Sequence, residues 1–92
     1  MTLHIVNQSP YNSTALGDCI AAFRDGDALL LIEDGVYALS GLAGEIAANP
    51  VYCLANDALA RGLEVPKNVR AIDDARWVEL CTEHQPIVSW FK

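Results

Sequence analysis

The groups in this chain with chemistry to offer are three thiols, two imidazoles and a scatter of carboxylates. They are Cys19, Cys53 and Cys81, His4 and His84, and acids gathered at Glu33-Asp34, Asp57 and Asp73-Asp74. A thiol reacts as the thiolate, which a helix N-terminus or a neighbouring cation favours and which needs an exposed approach. Cys19 stands in Ala15-Leu16-Gly17-Asp18-Cys19-Ile20-Ala21-Ala22-Phe23, well inside a helical pattern, beside Asp18 and on the apolar stripe. Burial and a nearby carboxylate both raise a thiol pKa, so the residues by themselves favour a small apolar role for Cys19 over a sulfur-carrying one. Cys53 lies within an apolar run and Cys81 shares a helical face with Trp77 and Leu80, and both read as packing residues. A Cys-His catalytic pair requires one of these thiols to meet His4 or His84 in space, which spacing neither shows nor excludes. His84, one turn after Leu80, suits the negative end of a helix dipole.

The acids raise a second kind of chemistry. In an open α/β sheet ligands bind beyond the carboxyl ends of the strands, and the residues following the apolar runs are Asn7 and Ser9, Glu33 and Asp34, Asn56 and Asp57, and Asp73 and Asp74. No cation stands among them, and no glycine-rich phosphate loop is present, so this edge repels phosphate. Clustered carboxylates suit a hard cation, and Glu33, Asp34 and Asp57 are the set from which a Mg²⁺-dependent, receiver-like signalling domain would be built. Against that reading, the first strand ends in Asn7 rather than an acid and no Lys follows the final strand, while Asp57, Asp73 and Asp74 suit helix caps. Three cysteines without a close pair and two distant histidines make neither a disulfide framework nor a tetrahedral metal site. No metal and no cofactor is expected.

These groups must be positioned by alternating strands and helices. Leu3 to Val6 reads as a strand closed by Asn7-Gln8-Ser9-Pro10, followed by a helix capped by Asn12 or Ser13, with Leu16, Cys19, Ile20 and Phe23 on its stripe and Gly26 past its end. Ala28 to Ile32 is an unbroken apolar run, the mark of a strand covered on both faces, ended by Glu33-Asp34-Gly35. From Val36 to Asn49 glycines interrupt the pattern of Tyr37, Leu39, Leu42 and Ile46, which predicts one or two short helices stopped by Pro50 and a thin cover over the sheet. Val51 to Leu54 is a third strand, followed by a helical turn capped by Asn56 or Asp57 and closed at Arg61-Gly62. Val69 to Ile72 is a fourth, then a helix capped by Asp73 or Asp74 with Trp77, Leu80, Cys81 and His84 on one stripe, and Ile87 to Phe91 a last strand after Pro86. The fold class expected is α/β: a three-layer α/β/α sandwich around a small, mostly parallel sheet of about five strands. Strand order is not legible.

At 92 residues the chain suits one domain, 1–92, since a chain of this size buries roughly 60–65% of its unfolded surface around one core. A hydrophobic share of 52% with 20% charged residues points to a globule that hides some apolar surface against a partner. Six basic residues against twelve acids leave a net charge of −6, with the cations scattered, so neither direct nucleic acid binding nor attachment to an anionic membrane is expected. No apolar run approaches the ~18–20 residues of a membrane span and Met1-Thr2-Leu3-His4 opens no signal peptide, so a cytoplasmic location with reduced thiols is expected.

Three blocks taken together resemble the TusB/DsrH family: Leu3-His4-Ile5-Val6-Asn7-Gln8-Ser9-Pro10-Tyr11, Leu29-Leu30-Leu31-Ile32-Glu33-Asp34-Gly35-Val36-Tyr37-Ala38, and Val51-Tyr52-Cys53-Leu54-Ala55-Asn56-Asp57-Ala58-Leu59-Ala60-Arg61-Gly62. Val88-Ser89-Trp90 after the final helix is similar to it as well. The resemblance implies a DsrEFH-like fold and a subunit of a sulfur relay, with TusC-like and TusD-like partners in a dimer of heterotrimers. Persulfide sulfur would arrive from a TusA-like donor and leave on a TusE-like acceptor toward 2-thiouridine at the tRNA wobble position. It also implies an alternative, a DsrH-like subunit of a DsrEFH complex in sulfur oxidation with Cys19 as a persulfide carrier, since DsrH-like members carry a cysteine at this place in the first helix. The relay's principal cysteine belongs to the TusD-like partner, so the chain is expected to serve assembly rather than catalysis. It would offer apolar surface from Val36 to Ile46 and the Trp90-Phe91 end to subunit contacts.

Overall fold

Four-residue apolar stretches too short for helices set the framework, each lying in the sheet with both faces covered. In the computed structural model, residues 1–41 and 49–91 are described. Strands β1 (Leu3–Val6), β2 (Ala28–Leu31) and β3 (Val51–Leu54) are buried along their whole length. They form the centre of a five-stranded sheet of order β4-β3-β2-β1-β5, in which β4 is Arg70–Ile72 and β5 is Ile87–Trp90. Every pairing is parallel, with Ile5 beside Leu30 on one side and Ser89 on the other. The expected α/β sandwich is therefore present, with a sheet that is parallel throughout.

The twofold alternation of strand side chains divides the core. Val6, Leu29, Leu31 and Cys53 face a layer made by α1 (Ala15–Ala22), a 3-10 helix over Glu33–Ser40 and α2 (Ala55–Ala60), which contribute Cys19, Val36, Leu39 and Ala58. Leu3, Ile5, Leu30, Ile32, Tyr52, Leu54 and Ile72 face the opposite way and receive Leu80 from α3 (Asp74–Glu83), with Trp77 and Cys81 beside it. The chain thus steps β1, β2, β3, β4 along one direction and then returns under α3 to place β5 on the far side of β1.

Several local expectations change. Helix α1 has Thr14 at its N-cap position with no side-chain bond, and the Ser13 hydroxyl accepts instead from the Ala15 N–H at 3.1 Å. The helix closes at Ala22 because Phe23 is extended, and Gly26 takes φ +88° in the turn into β2. Leu54 occupies the N-cap of α2, so neither Asn56 nor Asp57 caps it. Asp73 does cap α3, accepting from the Arg76 N–H at 2.9 Å.

The crossover after β2 differs most. It begins its 3-10 helix at once, at Glu33, and packs Val36, Ala38 and Leu39 into this chain's own core, so these residues are not the free apolar surface that the pattern predicts. The tight entry depends on Gly35, where a Cβ would run into the Val6 carbonyl oxygen. Leu42, Gly44 and Ile46 lie outside the described residues.

Candidate functional site

Cys19 is reached from β1 and from the turn before β2. It is fully buried on α1, against Val6 and Leu29 of the sheet. Burial pushes its thiol up to about 12, and the nearby carboxylate of Asp27 pushes the same way. Asp27 is itself buried and accepts hydrogen bonds from the Thr2 N–H at 3.0 Å, the Arg24 N–H at 3.1 Å and the His4 ring at 3.0 Å. Burial alone would raise its carboxyl, but the bonds from His4, Thr2 and Arg24 outweigh it and hold the pKa below the ordinary value.

The same ring of His4 reaches β5. Trp90 Nε1–H donates to His4 Nδ1 at 3.1 Å, which makes Nδ1 the acceptor and leaves the ring proton on Nε2, donated to Asp27 Oδ2. Phe23 stacks on the imidazole with centroids 4.5 Å apart, and Trp90 lies at 6.2 Å. Cys19 is therefore beside an anion held in place by a neutral histidine, a setting that opposes the thiolate. The sequence places His4 in a strand and Asp27 just before one, but only the strand order brings both against Trp90.

The carboxyl edge of the sheet gathers the acids, and with them a cation that the sequence does not place there. Arg61 from the end of α2 donates through Nε and Nη2 to Asp34 Oδ1 at 3.1 and 2.9 Å, and through Nη1 to the Asp57 carbonyl at 3.1 Å. Its guanidinium lies 5.9 Å from the ring centroid of Tyr37, and its pKa is raised, chiefly by the bond to Asp34. The Asp57 carboxylate accepts the Glu33 N–H at 2.7 Å, fixing a residue whose φ of +49° lies in the left-handed region. Asp34 and Asp57 are thus spent on Arg61 and on the backbone. Among the described residues no group of three His, Cys, Asp or Glu side chains is arranged to hold a metal ion. Asn7 Oδ1, at the end of β1, is buried without a partner among the described residues. Nearby, Pro10, Tyr11, Leu16, Tyr37, Ala38 and Gly41 line a cavity of about 190 Å³.

The remaining thiols divide. Cys53 is buried in β3 and its pKa is raised, by burial first and then by Asp57. Cys81 is half-buried and lines an open cleft of about 600 Å³ with His84, Gln85, Pro86 and Ile87. His84 Nδ1 lies 2.9 Å from the Leu80 carbonyl, so it donates there and ends α3 as its position suggests. No thiol is hydrogen-bonded to either histidine among the described residues, and Tyr11, Leu59, Val78, Ile87 and Phe91 leave large apolar side chains exposed.

Residues 8–87 match the family described as DsrH like protein. Protein TusB of Pectobacterium parmentieri is 36% identical over 97 residues, covering 96% of this chain and 99% of its own length. Protein TusB of Escherichia coli (strain SMS-3-5 / SECEC) is 32% identical over 97 residues with the same coverage. The crystal structure of the ychN protein from E. coli superposes with a TM-score of 0.73 at 18% identity, over 96% of this chain and 97% of that one, a likeness of fold.

Proposed function

This chain belongs to the DsrH-like family, and from that premise we propose that residues 1–92 form one domain acting as a TusB-like subunit of a heteromeric sulfurtransferase complex. In this reading it pairs with TusC-like and TusD-like subunits in a dimer of heterotrimers in the cytoplasm. The complex takes persulfide sulfur from a TusA-like donor and hands it to a TusE-like acceptor for 2-thiouridine formation at the tRNA wobble position. The chain's own part is assembly. The observation that carries this is the state of Cys19, which has no exposed surface, a thiol held near pKa 12 and a carboxylate for a neighbour, so the travelling sulfur is assigned to a partner's cysteine.

The exposed apolar side chains of Ile87 and Phe91 along the β5 edge, with Tyr11 at the carboxyl edge, supply surface for the partners. Coexpression with TusC-like and TusD-like chains is expected to yield one stable complex, read by size-exclusion chromatography with light scattering; three independent monodisperse monomers would overturn the proposal.

A second reading, the DsrH-like one, keeps Cys19 as a persulfide carrier and rests on the presence of a cysteine at this place in the first helix. It requires α1 to open before sulfur can reach the thiol. Loading the complex with labelled sulfur separates the two readings. Label on this chain that vanishes in Cys19→Ser supports the carrier, and label confined to a partner supports the assembly role.

A further inference from the structure

His4 is a titratable group held from two sides inside the core. It is almost fully buried, both ring nitrogens are engaged, and its two partners come from the two strands that flank β1: Asp27 from the turn into β2, Trp90 from β5. An imidazole has one nitrogen lone pair available when neutral, and here Trp90 occupies it. A proton taken up from solvent at Nδ1 turns that acceptor into a donor, and two N–H groups then face each other across the 3.1 Å now spanned by one hydrogen bond. Asp27 remains a carboxylate acceptor at Nε2 in either state, so the cation keeps a counter-charge and the disruption falls wholly on Trp90. We propose that His4 is an acid-sensitive latch on the edge strand β5: neutral, it holds the Trp90 indole and with it the strand; protonated, it expels the indole and loosens β5 from β1.

The surroundings fit a latch. β5 is an edge strand with β1 as its one neighbour in the sheet, its side chains alternate between exposed and half-buried, and Trp90 is the residue through which it joins the apolar cluster on the α1 side. The rest of the strand therefore contributes little burial to resist release. Among the described residues, the ionisable groups set against His4 and its partner are Asp27 itself and, on α1, the Cys19 thiol, which feels the Asp27 charge. Phe23 covers a ring face, while the register neighbours of His4 are Leu29 on β2 and Val88 on β5.

The test uses the full chain, free or in the complex with which it purifies, labelled with ¹⁵N at histidine and tryptophan. The chain has two residues of each type, so His84→Gln and Trp77→Phe assign the signals. At alkaline pH His4 is expected as the Nε2–H tautomer. On acidification its titration and the shift of the Trp90 indole N–H share one midpoint, and amide protection across β5, corrected for intrinsic exchange, falls by about five- to tenfold relative to β2, as expected for one hydrogen bond. Trp90→Phe removes the group that opposes protonation and moves the His4 midpoint upward. An Nδ1–H tautomer, a His4 that stays neutral until the protein unfolds, an indole and strand indifferent to its titration, or an unchanged midpoint in Trp90→Phe would each overturn the proposal. The wild-type measurements decide the matter even where a variant fails to fold.

Discussion

Cys19 and Cys81 carry the same side chain into opposite circumstances. The first is sealed beneath α1 and its proton is held by burial and by Asp27, while the second lines an open cleft. Alkylation of the native protein is therefore expected to modify Cys81 and to spare Cys19 and Cys53 until denaturant opens the core, with peptide mass spectrometry as the readout. Early modification of Cys19 would show that α1 opens readily and would favour the carrier reading. The burial of Cys19 was legible in the sequence from its place on the apolar stripe. Its neighbour was not: Asp18, adjacent in sequence, points to the Thr14 hydroxyl, and the acid that raises the thiol is Asp27, eight residues on. Local spacing along a helix shows which face a residue occupies, whereas the groups it meets across a turn follow from tertiary packing.

Among the elements, the strands and α3 were legible because each carries a complete local signal: an apolar run with a turn behind it, or a capping acid before a stripe. The 3-10 helix over Glu33–Ser40 was not legible from its start, since Glu33-Asp34-Gly35 reads as a turn and becomes a helical entry only because Asp57 holds the Glu33 N–H and Gly35 lies against Val6. Arg61 is missed for the same reason, its partner Asp34 being 27 residues away. Gly35→Ala is expected to destabilise the fold by more than Asp73→Ala, because the added methyl meets strand backbone rather than solvent. Loss of the Asp73 cap should cost about 0.5–2 kcal/mol and the Gly35 clash about 2 kcal/mol or more. Urea denaturation of the two variants gives the order directly, and the reverse order would mean that the crossover adjusts more easily than its packing indicates.

For the whole molecule, the buried Asp27 couples folding to acidity. Its carboxyl titrates below the ordinary value in the folded chain, so the folded form binds that proton less readily than the unfolded one. The stability this contributes is fully present above the unfolded carboxyl pKa of about 3.9 and is lost as pH falls through the lower folded value. Asp27→Asn is accordingly expected to be less stable than wild type near neutrality, with the gap narrowing as pH drops below about 4, measured by denaturant titration at a series of pH values. A gap that stays constant would remove the carboxylate's charge as the cause.

The position of β5 beside β1 carries a consequence for synthesis. The strands leave the ribosome in numerical order, yet β1 lies between the second to emerge and the fifth. A nascent chain that has released everything through α3 can assemble four strands, but one flank of β1 stays bare and His4 has no indole to accept from until Trp90 appears. Such an unfinished flank is the kind of surface to which a neighbouring polypeptide pairs. A chain halted between α3 and β5 would thus carry most of its interior formed and one adhesive side.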